Sequence, residues 1–122
     1  MSPTIVLRDG NPFLAVGSPG GSTIITTVLQ ILIDRLDLGL TLPQAIADPR
    51  LSQRNTSTTQ VEPAFLTTPE ATALSARGHM FSTTPEIGAA TGIEFLGGGR
   101  LLAAAEPVRR GAGSALVVAP TG

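Results

Sequence analysis

The chain has 122 residues, a net charge of −1 and 42% hydrophobic residues, but no Trp, no Tyr and only four Phe. This length suits one domain with a core of aliphatic side chains, and the eight scattered Arg residues form no basic surface for nucleic acid. The lack of Cys excludes disulfides, thiol catalysis and Cys-ligated zinc, and a single His argues against a metal centre. No cofactor is expected.

The first predicted element is a β-hairpin. Residues 4–8 and 13–17 are short apolar runs separated by the sequence Asp-Gly-Asn-Pro. Asp-Gly between two such runs is a strong hairpin signal. We therefore expect two antiparallel strands at the start of the chain.

A helix is predicted over residues 23–38. Its apolar residues cover more than half of the helix circumference, so we expect it to be covered on more than one side. Ser22 suits the N-cap position and Gly39 the C′ position. Charged residues interrupt the apolar stretch, which does not read as a membrane span. The predicted polar strip consists of Thr23, Thr26, Thr27, Gln30, Asp34 and Asp37.

The remaining elements are short. Thr41 to Gln44 forms a capping box that opens a helix ended by Pro49, and Thr68-Pro69 begins another helix that ends near residues 77–78. Residues 52–60 are expected to be a surface loop that leads into a strand near 60–62. Further extended segments are predicted at residues 79–83, 91–96, 101–105 and 114–119, with Gly97–Gly99 as a hairpin turn. This order predicts an α+β fold, with helices layered on an antiparallel sheet.

The strand-to-helix turn at residues 17–22, Gly-Ser-Pro-Gly-Gly-Ser, carries the clearest chemical signal. The first N–H groups of a helix lack partners within it, and adjacent glycines let a ligand approach the backbone. Such a turn can bind a carboxylate, a phosphate or a developing oxyanion. A tight turn followed by an ordinary helix cap fits the same residues. The absence of Lys excludes a Walker A loop, and the order of Gly17 and Ser18 does not match a nucleophile elbow.

Three other polar positions receive structural interpretations. His79 is interpreted as a surface or strand-end residue, too isolated for a Ser-His-Asp triad. Residues 48–50, Asp-Pro-Arg, are interpreted as a helix terminator with a local ion pair. Residues 106–110, Glu-Pro-Val-Arg-Arg, are interpreted as a solvated loop.

Several strings closely resemble the small subunit of γ-glutamyltranspeptidase. They are Met-Ser-Pro-Thr-Ile-Val at 1–6, the 17–22 turn, Ile-Ile-Thr-Thr-Val-Leu-Gln at 24–30, Gln-Ala-Ile-Ala-Asp-Pro-Arg at 44–50 and Val-Glu-Pro-Ala-Phe at 61–65. A looser match follows at 106–111. The resemblance implies part of an N-terminal-nucleophile hydrolase, a four-layer αββα sandwich of a large and a small subunit. Members of this family are often exported or lie on the cell surface, and the location of this chain stays open.

The resemblance also implies an activity. These enzymes transfer the γ-glutamyl group of glutathione to water or an amino acid through a Thr acyl-enzyme. The two glycines of the turn donate backbone N–H groups to the oxyanion, a role that carries over to Gly20 and Gly21.

The departures from the family pattern concern the nucleophile. The family's Thr-Thr-His is missing, since Thr26 and Thr27 are followed by Val28. The two serines that precede the family's equivalent of Met1 are also missing. We therefore interpret residues 1–122 as a single partial domain, inactive alone, whose partners are the large subunit and the rest of the small subunit. A glutaryl-type acylase and a non-catalytic anion-binding or interaction module are the alternatives.

Overall fold

The computed structural model describes residues 2–116. The strands within them are β1 (Thr4–Arg8), β2 (Asn11–Gly17), β3 (Leu51–Ser52), β4 (Thr59–Val61), β5 (Phe81–Thr83), β6 (Thr91–Gly97) and β7 (Arg100–Ala105). The α-helices within them are α1 (Ile24–Leu36), α2 (Leu42–Ala47) and α3 (Pro69–Ala76). No strand forms at residues 114–116, and the rest of the strand predicted at 114–119 lies outside the described residues.

The larger sheet is antiparallel, with the strand order β1-β2-β6-β7. Both predicted hairpins are confirmed, one at each end of this sheet. In the first, Asp9 and Gly10 adopt positive φ angles of 52° and 78°, as a type I′ turn requires. The pairing of β2 with β6 joins the two hairpins although they are far apart in sequence. This pairing places the end of β2, and the turn that follows it, beside β6.

Helices α1 and α2 cover one face of this sheet, which confirms the predicted α+β class. Leu42 of α2 packs over Gly92 of β6, where a Cβ atom would lie 3.2 Å from the Leu42 Cδ2 atom. A glycine in the strand therefore lets the helix approach the sheet. The buried core between the layers consists of Phe13, Leu14, Val16, Val28, Ile31, Leu42, Ala45, Ile46, Ala90 and Ala104.

Two apolar surfaces have no cover within residues 2–116. The first, here called the outer sheet face, is the side of the larger sheet away from the helices, where Ile5 is 69% exposed. Its exposed apolar residues are Ile5, Leu7, Ile93, Phe95 and Leu101. The second, here called the α1 stripe, consists of Ile25, Leu29, Ile33 and Leu36. A folded soluble domain rarely exposes so much contiguous apolar surface.

The prediction of a polar strip on α1, opposite the apolar face, is wrong at Thr27 and Asp34. Thr27 and Asp34 are buried, together with Val28 and Ile31. Helical spacing puts Thr27, Ile31 and Asp34 on one face of the helix. Because that face packs onto the sheet and α2, two polar residues become buried while apolar residues remain exposed.

The smaller sheet has the order β3-β4-β5 and its own core of Val61, Phe65 and Ala71. Strands β4 and β5 pair in parallel, with α3 in the connection between them. This parallel pair with its βαβ-type connection departs from the antiparallel sheet that the sequence predicts. The predicted helix starts are confirmed, since Thr41 and Gln44 form a capping box and Thr68 caps α3.

None of the helices within residues 2–116 combines the length and the hydropathy that crossing a bilayer requires.

Candidate active site

The turn between β2 and α1 contains the two glycines to which the sequence assigns an oxyanion-binding role. Gly20 and Gly21 both have positive φ angles, 147° and 59°, which glycine adopts without steric cost. Gly21 begins a short 3-10 turn, Gly21–Thr23, that runs directly into α1. The N-cap of α1 is therefore Thr23, and the prediction of Ser22 is wrong. The Thr23 hydroxyl donates to the carbonyl of Gly20 at 3.0 Å instead of capping the helix.

The backbone N–H groups of Gly20 and Gly21 are the potential donors of this turn. Among residues 2–116 no acceptor is hydrogen-bonded to either N–H group, whereas their carbonyls accept from the N–H groups of Thr23 and Ile24. Gly21 is exposed to solvent. Two unpaired donors at the N-terminal end of a helix can bind an anion. The assignment of Gly20 and Gly21 as oxyanion donors stays a prediction.

A distant segment, residues 87–90, packs behind the turn. The hydroxyl of Ser18, a fully buried residue, accepts from the N–H of Ala89 at 3.1 Å and donates to the carbonyl of Pro19 at 2.6 Å. A Cβ atom on Gly20 would lie 3.3 Å from the Cα atom of Gly88. Sequence reasoning missed this segment, and its one signal is a glycine between Ile87 and Ala89.

A buried cluster of two arginines and two glutamates, here called the Arg–Glu cluster, lies next to this segment. Arg109 binds both carboxylate oxygens of Glu62, each at 2.5 Å, and one oxygen of Glu106 at 2.7 Å. Arg50, which is 1% exposed, binds the other Glu106 oxygen at 3.0 Å. Each arginine shares Glu106 with the other, so all four charges are compensated within the protein.

Two sequence interpretations are corrected by this cluster. Residues 106–110 are not a solvated loop, because Glu106 and Arg109 are both buried. Arg50 forms its ion pair with Glu106, from a distant part of the chain, and not with Asp48. The carbonyl of Asp48 instead accepts from Arg109 at 2.7 Å. The polar residues of both motifs therefore hold the interior together.

The cluster also shifts the ionisation of its members. Burial alone would raise the pKa of Glu62, but hydrogen bonds from the Arg109 side chain and from the N–H groups of Arg50 and Ile87 hold that pKa below its usual value. Burial lowers the pKa of Arg50, and the neighbouring charge of Arg109 lowers it further. Glu62 is therefore held in its charged form.

A groove of about 650 Å³ runs beside α1. Its walls are largely apolar, and Asp34 and Asp48 are among the residues that line it. Burial, helped by the charge of Asp48, raises the pKa of Asp34 from 3.8 to about 6. The Asp34 Oδ2 atom is buried and has no hydrogen-bond partner in the part of the chain that the structure describes. Asp34 is thus a destabilising charge at neutral pH.

The other candidate side chains lie apart from the turn or inside α1. His79 is exposed just before β5, as predicted. Thr26 and Thr27 lie within α1, and the hydroxyl of Thr26 is 2.8 Å from that of Ser52. Within the described part of the chain, no group of three or more His, Asp or Glu side chains could hold a metal ion.

Comparison with known proteins gives one consistent family. The γ-glutamyltranspeptidase family model matches residues 1–116. A glutathione hydrolase proenzyme of Bacillus subtilis strain 168 is 38% identical over 85 residues, which are 70% of this chain and 14% of that protein. The solved γ-glutamyltranspeptidase of Pseudomonas nitroreducens in complex with L-DON superposes with a TM-score of 0.83 at 34% identity. The match covers 98% of this chain and 62% of that one.

An acylase is also similar. The acylase ACY 1 proenzyme of Pseudomonas sp. strain SE83 is 32% identical over 108 residues, which are 86% of this chain and 19% of that protein. The chain therefore spans only a minor part of the length of these proenzymes.

Proposed function

Because this chain belongs to the γ-glutamyltranspeptidase family and has its N-terminal-nucleophile hydrolase fold, we propose that it provides the oxyanion-binding turn of a glutathione hydrolase or γ-glutamyltransferase. The observation that carries the proposal is that the N–H groups of Gly20 and Gly21, just before α1, have no hydrogen-bond partner among residues 2–116. When a nucleophile attacks the γ-glutamyl carbonyl, its oxygen becomes negative. The two donors and the positive end of the helix dipole stabilise that charge.

The nucleophile comes from a part of the enzyme outside residues 1–122. A Thr hydroxyl attacks the amide of the donor, glutathione or another γ-glutamyl compound, and expels the amine. Water or an amino acid then releases the γ-glutamyl group from the acyl-enzyme. Thr26 and Thr27 do not take this role, since both lie inside α1 and Thr27 is buried. In this proposal residues 1–122 are a partial domain without turnover of its own.

The missing parts of the enzyme cover the two apolar surfaces of this chain. A second sheet packs on the outer sheet face, and further polypeptide of the large subunit or of the rest of the small subunit covers the α1 stripe. Ile5 and Ile25 are 69% and 72% exposed in this chain, and burying such side chains contributes about 1.5–3 kcal/mol each. Assembly thus buries the apolar surface that residues 2–116 leave exposed.

The test removes one donor from the two-subunit enzyme without changing a side chain. Replacing Gly21 with glycolic acid by semisynthesis converts its peptide bond to an ester, which deletes the N–H group and also weakens the Gly20 carbonyl as an acceptor for Thr23. We expect kcat for a γ-glutamyl anilide to fall by about 10²- to 10³-fold with little change in KM. The same replacement at Gly98, in the β6–β7 turn, is the control. An unchanged kcat in the Gly21 ester, or turnover by the 122-residue chain that a mutation within it abolishes, would contradict the proposal.

The acylase is the second candidate, favoured by the 32% identity to acylase ACY 1 over 108 residues. An oxyanion-binding turn serves a glutaryl amide as well as a γ-glutamyl amide. Comparing kcat/KM for γ-glutamyl and glutaryl anilides in the assembled protein separates the two, because only the first carries the α-amino group. An assembled protein that binds a carboxylate at Gly21 but hydrolyses neither anilide would be an anion-binding module.

A further inference from the structure

Gly88 fills a space behind the turn that no side chain could share. It is buried, its φ angle is +66°, and a Cβ atom there would lie 2.7 Å from the hydroxyl oxygens of both Ser18 and Thr27. Its own Cα atom would be 3.3 Å from a Cβ on Gly20. The backbones of Gly20 and Gly88 therefore pack too closely for a side chain to fit between them, and such close packing transmits a displacement of one to the other.

The segment that carries Gly88 is itself held on both sides. The N–H of Ile87 donates to Glu62 at 2.8 Å, and the carbonyl of Ile87 accepts from Arg50 at 2.7 Å. The N–H of Ala90 donates to Glu106 at 3.2 Å. These acceptors and donors belong to the Arg–Glu cluster, so residues 87–90 form a rigid support. The hydrogen bond between Ala89 and Ser18 joins this support to the turn.

We infer that Gly88 and Ser18 are positioning residues that fix where the N–H groups of Gly20 and Gly21 point. The inference rests on the proposed function, since neither residue is placed against substrate. An Ala at position 88 must push away Ser18 or Thr27, and the turn moves with them. Displacing a catalytic group by about 1 Å can lower a rate by about 100-fold. Because the donors act on charge that develops in the transition state, kcat falls while KM does not change.

The kinetic test compares Gly88→Ala with Gly98→Ala in the two-subunit enzyme. Gly98 has a similar φ of +60° but nothing within 4 Å of a Cβ atom, so this control carries the same backbone strain without the contact. We expect kcat for a γ-glutamyl anilide to fall about 10- to 100-fold in Gly88→Ala and to stay within about twofold of wild type in Gly98→Ala. Equal effects in the two variants, or a loss that appears mainly in KM, would overturn the inference.

Ser18→Ala is a second test of the same contact. It adds no atoms, so this variant can fold even if Gly88→Ala does not. It deletes the acceptor for Ala89, and we expect kcat to fall about 2- to 10-fold, the effect of one neutral hydrogen bond. In a double-mutant cycle the two changes should not add, because both act through one contact. Wild-type kcat in Ser18→Ala, or full additivity, would refute the shared role.

Hydrogen exchange separates this inference from the proposed function. In Ser18→Ala the amides of Ala89 and Thr23 should exchange faster than in wild type, and in Gly98→Ala they should not. If these amides exchange at the wild-type rate in Ser18→Ala, residues 87–90 do not hold the turn, whether or not the enzyme is active. If the assembled wild-type protein hydrolyses no γ-glutamyl anilide, the proposed function fails and the kinetic role fails with it. Faster exchange would then still confirm that residues 87–90 hold the turn.

Discussion

Replacing Arg109 with Met should cost the folded chain a large part of its stability. The Arg109 side chain makes five hydrogen bonds, to Glu62, to Glu106 and to the carbonyls of Ile46 and Asp48. Without it, Glu62 keeps only the N–H groups of Arg50 and Ile87. Breaking a buried ion pair by removing one partner costs about 3–5 kcal/mol, against a total stability of about 5–15 kcal/mol for a typical domain.

The assay is urea unfolding of the 122-residue chain followed by circular dichroism, because a chain without Trp or Tyr gives little intrinsic fluorescence. A loss of about 4 kcal/mol lowers the urea midpoint by on the order of 2 M. Arg110→Met is the matched control, since Arg110 is the exposed neighbour of Arg109. The free energy of unfolding of Arg110→Met should stay within about 0.5 kcal/mol of the wild-type value.

The pH dependence adds a second criterion to this experiment. The pKa of Glu62 is held below its usual value in the folded protein, so its stabilising contribution is present above the ordinary Glu pKa. That contribution is lost as pH falls through the folded value. The difference in free energy of unfolding between wild type and Arg109→Met should therefore become smaller at acidic pH. If Arg109→Met lost no more free energy of unfolding than Arg110→Met, or if its loss increased at acidic pH, the stabilising role of Arg109 would be refuted.

Two further predictions concern Asp34 and the outer sheet face. The pKa of Asp34 is raised from 3.8 to about 6. Ionisation therefore destabilises the folded state as pH rises through this window, by about 3 kcal/mol at about 1.4 kcal/mol per pKa unit. In urea unfolding, the free energy of unfolding of Asp34→Asn should match that of wild type below pH 3.8 and exceed it at pH 7. A difference between the two that does not depend on pH would contradict the raised pKa of Asp34. Ile93→Glu should change the stability of the free chain by about 1 kcal/mol or less but prevent co-purification with the large subunit, and normal assembly would show that the outer sheet face is not covered there.

Local structure could be predicted where the deciding residues lie within a few positions of one another. The capping box of Thr41 and Gln44, the Thr68 cap and the Asp9-Gly10 turn all depend on such short spacings. Each satisfies backbone groups that no distant part of the chain needs to supply. The cap of α1 could not be predicted in this way, because Gly20 and Gly21 insert a 3-10 turn that moves the cap from Ser22 to Thr23.

The interior polar contacts could not be predicted from local signals. A charge in a polar string looks the same whether it meets water or a distant opposite charge, so the interpretation of Glu106 and Arg109 as solvated was wrong. Glu62, which pairs with Arg109, and Arg50, which pairs with Glu106, both lie in other parts of the chain. The contact of Gly88 with Ser18 and Gly20 could not be predicted for the same reason. These residues are far apart in sequence, and the pairing of β2 with β6 brings them together.

The pairing of β2 with β6 also governs the order in which the chain can fold as it is synthesised. Within residues 1–122 the β1–β2 hairpin is made before the rest of the sheet, and an isolated hairpin is marginally stable in water. One edge of β2 stays open until β6, ending at Gly97, has been made. At about 5–20 residues per second this delay lasts roughly 4 to 16 seconds. During that time an apolar strand edge is available to other nascent chains, so this chain should depend on chaperones to avoid aggregation.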